Sequence, residues 1–183
     1  LIANDGKHAH YYIRKAIGSV FAFMGHDVRL WEIGQKPTFD AFDEMEPDLF
    51  IGQSYNLTPA IHKCIAERPN MRVIMKGSDW GPNSDVIDRE RFPVLIANEQ
   101  EIDRIKKLKE ETGKPNFLYV HYADKRLDAT HGHWREAEIQ VESLMNAADV
   151  FEFTNGVFRP EYACDLGFLG GCWGYKNVTL SKY

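Results

Sequence analysis

Apolar positions along the chain follow two alternating patterns. Short continuous apolar runs read as buried strands: Leu1–Asn4 as the tail of one, then "DVRLWEI" (27–33), "PDLFIGQ" (47–53), "MRVIMK" (71–76), "FPVLIAN" (92–98), "NFLYVHY" (116–122) and "DVFEFTN" (149–155). Between them, apolar residues recur at helical spacing. In "YYIRKAIGSVFAFMG" the residues Ile13, Ile17, Val20, Phe21 and Met24 share one face, and Gly25 stands at the C-cap. "TFDAFDEM" reads as a helix with Thr38 as N-cap. "LTPAIHKCIAERP" has Thr58 as N-cap and Pro59 in its first turn. "EQEIDRIKKLKEET", ending at Gly113, and "WREAEIQVESLMNAA" complete the set of helices.

Strands alternating with helices predict βαβ units, a mainly parallel sheet and helices on both faces. The expected fold is therefore α/β: a Rossmann-like three-layer α/β/α domain with six or seven strands. Such sheets bind ligands at the carboxyl ends of their strands. That rule converts strand ends into candidate site residues: Asn4, Asp5 and Gly6; Ser54, Tyr55 and Asn56; Gly77, Ser78, Asp79 and Trp80; Asn98 and Glu99; His121 and Tyr122; Thr154 and Asn155. The edge is polar and aromatic, although Gly, Asn, Asp and Ser also serve as ordinary turn formers.

Composition narrows the function classes. With 183 residues the chain can bury one good core. A net charge of −5 and the lack of a basic block beyond "DRIKKLKEETGK" give no footprint for nucleic acid. No apolar run approaches the ~18 residues of a membrane span, and the residues from Leu1 onward read as having no signal peptide, with something upstream of Leu1 expected to be removed or not included. Cys64, Cys164 and Cys172 form an odd, sparse set without metal spacing, which points to reduced thiols in the cytoplasm; a Cys164–Cys172 disulfide is the alternative.

The loop "NDGKHAH" carries the densest chemistry. His8 and His10 titrate near neutral pH and suit general-base work, with Asp5 to orient one of them. The plain alternative is an Asp5-Gly6 turn with solvated histidines. With a single glycine, this loop is neither a dinucleotide fingerprint nor a P-loop. In "KGSDWGPNSD", Trp80 offers a plane for a sugar face and Asp79 an acceptor for sugar hydroxyls, against the alternative of a structured turn. His131 and His133 beside Asp128 form an H-x-H pair, but no spacing dictates further ligands, so no metal is expected. His26 after the helix cap and His62 on its helix read as structural.

Three segments carry a family resemblance. "GHDVRLWE" followed by "FDEMEPDLFIGQS" resembles the opening of a GT-B glycosyltransferase, where the second strand follows Gly-His and the third follows Pro-Asp. "YACDLGFLGGCWGYK" is similar to the segment closing the N-terminal domain of CgeB-like, spore-maturation-type glycosyltransferases, through Cys164, Asp165, Leu166, Gly167, Phe168, Leu169, Gly170, Gly171, Trp173, Tyr175 and Lys176.

The resemblance implies two Rossmann-like domains flanking a cleft. The first mainly holds the sugar acceptor and the second mainly holds the nucleotide-sugar donor. Residues 1–172 would be the acceptor-side domain and 173–183 the interdomain crossover, with the donor bound by a second domain missing here. No cofactor beyond the donor substrate is implied. Some inverting members place a base in the first strand–helix loop, where His8 and His10 stand. Gly6, Ser54, Tyr55, Asn56, Asp79, Trp80, Asn98, Glu99 and His121 would line the acceptor side. A non-catalytic Rossmann-like binding or interaction module is the competing expectation, because fold alone does not fix function.

Overall fold

In the computed structural model the structure describes residues 1–4, 9–77, 94–120, 132 and 134–144, with backbone alone for 9, 10 and 94–99. Among these residues six strands form one sheet: β1 (Ile2–Asn4), β2 (Leu30–Glu32), β3 (Leu49–Gln53), β4 (Arg72–Lys76), β5 (Phe117–Val120) and β6 (Val141–Ser143). Their order is β2-β1-β3-β4-β5-β6, and every pairing is parallel. The elements lie in one compact unit, Leu1–Phe151. The domain boundary expected between 172 and 173 falls outside the described residues, as does the strand expected over 149–155.

Among the described residues four α-helices accompany the sheet: α1 (Ala9–Phe23), α2 (Thr38–Met45), α3 (Pro59–Ala66) and α4 (Val94–Thr112). Alternation along the strands sends side chains to two separate cores. Ala3, Phe50, Val73, Met75, Leu118 and Val120 face α2, α3 and α4, while Ile2, Ile51 and Tyr119 face the side on which Ile17 and Phe21 of α1 pack. The fold is thus the expected Rossmann-like α/β architecture with a parallel sheet.

Caps explain several element ends. The Thr58 hydroxyl accepts the Ile61 N–H at 3.3 Å and starts α3. Gly25 and Gly113 follow α1 and α4 with φ of +90° and +71°, a region that favours glycine. The end of α3 is held from a distance. The buried Lys114 ammonium donates to the carbonyls of Arg68 (2.6 Å) and Ile65 (3.5 Å), covering carbonyls that a helix terminus leaves open. Burial pulls this ammonium below the ordinary lysine range.

Four local expectations are corrected. Thr38 is the first residue of α2 rather than its cap; Pro37 occupies the cap position, and no side chain bonds there. The apolar stripe of α1 is only partly its buried face: Ile17 and Phe21 pack on the core, but Val20 and Met24 are exposed, whereas Arg14 and Gly18 are buried. A Cβ at Gly18 would meet Val28 Cγ1 at 3.4 Å and Ile2 Cδ1 at 3.5 Å, so α1 approaches β1 along its glycine. The run 94–98, expected as a strand, is the first turn and a half of α4. An apolar tetrapeptide fits either state, and the helix formers after it settle the choice. Finally, the helix expected from Trp134 stops after 134–136. Glu138 adopts φ of +55°, and Val141–Ser143 then pair with β5 as a strand. Strand pairing overrides local propensity there.

Candidate functional site

The strand order reverses at β1. The chain leaves it for β2 on one side, then returns to β3 on the other. In open parallel sheets this switch point opens a crevice at the carboxyl ends of the strands. Here the carboxyl ends of β1, β3 and β4 carry Asn4, Gln53, Ser54 and Lys76, all buried. Arg14 of α1 and Glu101 of α4, both also buried, reach the same edge. Burying this much polarity is costly unless each group is hydrogen-bonded.

Two linked sets of bonds meet that requirement for Asn4, Arg14, Ser54, Lys76 and Glu101. The Asn4 amide donates to Glu32 Oε1 at 2.6 Å, tying β1 to the end of β2. Asn4 Oδ1 accepts from Arg14 Nη1, and Arg14 Nη2 donates to the Tyr55 hydroxyl at 3.3 Å. One guanidinium thereby joins the end of β1 to the turn after β3. The second set centres on Ser54. Its hydroxyl donates toward the Lys76 carbonyl at 2.7 Å and also meets Glu101 Oε1, so β3, β4 and α4 converge on one oxygen. Lys76 Nζ donates to the Gly77 carbonyl at 3.3 Å. The Ser54–Asn56 turn holds Tyr55, which is 37% exposed, at the rim of the buried polar network.

The expected site residues fare unequally. Ser54, Tyr55 and Asn56 stand together after β3 at the carboxyl edge. His10 is the second residue of α1, described by its backbone alone. Asn98 and Glu99 do not end a strand; they lie inside α4, so the strand-end argument does not apply to them. Asp5, Gly6, His8, Asp79, Trp80 and His121 lie outside the described residues, as do His131, His133 and the 164–176 motif.

Sequence reasoning missed Arg14, Gln53, Lys76 and Glu101. Two of them left a signal. Glu101 sits at i, i+4, i+7 with the buried Ile105 and Leu108, a carboxylate on an apolar stripe. Arg14 precedes the close-packed Gly18 by one turn. Among the described residues no group of three or more His, Cys, Asp or Glu could hold a metal, and no helix is long and apolar enough to cross a membrane.

A cavity of about 550 Å³ opens at the opposite, amino edge, beside Leu1, Asp27, Asp48 and Arg72. Its polar side chains are all exposed, whereas those at the carboxyl edge are buried and locked together. Preorganised polar groups distinguish a recognition site from a surface hollow, so the carboxyl edge is the candidate site. No family model, curated protein or solved structure matches the chain.

Proposed function

We propose that this chain is the acceptor-side domain of a glycosyltransferase, moving a sugar from a nucleotide-sugar donor to a hydroxyl acceptor. One observation carries the reading: the buried network Asn4–Arg14–Tyr55 and Ser54–Glu101 at the switch point of a parallel sheet. A polyhydroxylated acceptor demands several directional hydrogen bonds at once. An amide, a guanidinium, a hydroxyl and an aromatic plane held in fixed positions meet that demand. The family-like segments "GHDVRLWE" and "YACDLGFLGGCWGYK" support a sugar over other ligands of such sheets.

In the reaction proposed, the acceptor oxygen bonds to the anomeric carbon as the bond from that carbon to the diphosphate breaks. His8 or His10 takes the acceptor proton, and Asp5 orients the ring. His10 lies in the first turn of α1, whose Arg14 lies one turn further along and anchors to Asn4. The base and the acceptor pocket would thus share one rigid element.

The test is a transfer assay on the natural gene product carrying this chain, with uridine- and guanosine-diphosphate sugars and a panel of hydroxyl acceptors. Transfer is expected, and His8→Ala or His10→Ala lowers turnover by roughly a hundredfold or more. Transfer unchanged in both variants removes the base assignment. Acceptor binding without transfer from any donor favours the non-catalytic module.

A further inference from the structure

A second cavity, of about 440 Å³, lies between α3 and α4 and shares no lining residue with the carboxyl-edge site. It is lined by Thr58, His62, Lys63, Arg104, Lys107 and Glu111, among others. The chain as a whole is acidic, yet this lining sets three permanent cations against one carboxylate. That carboxylate is already shared: Glu111 meets His62 Nε2 at 2.6 Å and Lys107 Nζ at 3.8 Å. Lys63 leans toward Glu67 at 3.7 Å and over the Phe39 ring. Arg104 stands apart. Its Nε is buried, and among the described residues its side chain has no hydrogen bond or ion pair. A buried N–H left without an acceptor is an exception in a folded protein.

The surroundings specify what is missing. Arg104 and Lys107 are one turn apart on α4 and present their charges on the same side of the helix. Across the cavity, Thr58 and Pro59 open α3, whose N-terminal end carries partial positive charge. A doubly charged, tetrahedral oxyanion matches a net excess of two positive charges and a planar donor fork. We propose that this cavity binds a phosphate dianion, free or as a phosphate monoester, through Arg104 and Lys107. The volume falls within the range of small-molecule sites and leaves space for a group attached to the phosphate. The proposal does not depend on the sugar-transfer reading, since it uses none of the same side chains.

Calorimetric titration of the 183-residue chain with inorganic phosphate, and separately with methyl phosphate, at constant ionic strength set by chloride, tests it. Saturable one-to-one binding is expected. Arg104→Gln should weaken it at least tenfold and Lys107→Gln severalfold, while Arg72→Gln, at the other cavity, leaves it unchanged. Lys107 is exposed, so its variant keeps the test open even if Arg104→Gln does not fold. Binding of methyl phosphate as tightly as phosphate identifies the phosphoryl group of a larger molecule; binding of phosphate alone identifies a free-phosphate site. No saturable heat with either probe, or equal affinity in Lys107→Gln and the unaltered chain, overturns the proposal.

Discussion

Gly52 sits one residue before Gln53, in the strand that delivers Ser54 and Tyr55 to the carboxyl edge. A methyl group added there would stand 2.7 Å from Phe50 Cε1 and 2.9 Å from Phe50 Cζ. Ordinary contact begins near 3.4 Å, so the ring must give way by about 0.7 Å. It has nowhere easy to go. Phe50 is 1% exposed, and its centroid lies 5.0 Å from that of the fully buried Phe42. Overpacking of a tight core costs about 1–3 kcal/mol. Replacing a strand glycine returns roughly 0.5–1 kcal/mol through the unfolded chain. Gly52→Ala should therefore destabilise by about 1–2 kcal/mol, or lower Tm by roughly 2–8 °C for a chain of this size. Urea unfolding followed by far-ultraviolet ellipticity reads the change. The discriminating step is a double-mutant cycle with Phe50→Leu, which removes the ring atoms in the way. In that background Gly52→Ala should be neutral or slightly stabilising, a coupling of about 1–2 kcal/mol. An equal cost in both backgrounds refutes the steric argument.

Lys114→Met removes the ammonium bonded to the carbonyls of Ile65 in α3 and Arg68 just after it and should cost about 1–3 kcal/mol near neutral pH. Burial lowers the Lys114 pKa from 10.5, so the unfolded chain holds this proton more tightly and the stability of the unaltered protein rises with pH between the lowered value and 10.5. Its advantage over Lys114→Met should widen across that window; a flat difference in urea midpoints between pH 8 and 10.5 contradicts the assignment. Burial also pushes the Cys64 thiol up from 9.0, and the residue is fully buried. In a Cys164→Ser, Cys172→Ser background, iodoacetamide should label Cys64 only as fast as the chain unfolds, and rapid labelling of the folded protein counts against this packing.

The sheet was legible in the sequence because its strands are buried on both faces. "PDLFIGQ" and "MRVIMK" have continuous apolar centres, Leu49–Ile51 and Val73–Met75, and no helical reading of comparable strength. Where one segment supported two states, local pattern lost to context. Val94–Ala97 joined the helix formers behind it, and Val141–Ser143 left a helical sequence to pair with β5. The site was half legible. Strand-end residues such as Ser54 and Tyr55 can be read from the order of elements. Arg14 and Glu101 approach the edge from helices, and their roles depend on which helical face the tertiary packing buries. The apolar stripe of α1 was only half right: Ile17 and Phe21 pack on the sheet, but Gly18 rather than Val20 lets the helix sit close to β1.

The account rests on the carboxyl edge being the face that recognises ligand. Backbone amide chemical shifts of the chain, followed during titration with methyl glycosides and then with uridine- and guanosine-diphosphate sugars, test this most directly. The account predicts saturable changes at Asn4, Gln53, Ser54, Tyr55, Asn56 and Gly77, with Arg14→Met abolishing those at Asn4 and Tyr55. Changes gathered instead around Asp27, Asp48 and Arg72 at the amino-edge cavity, or no saturable change with any of these compounds, would contradict it.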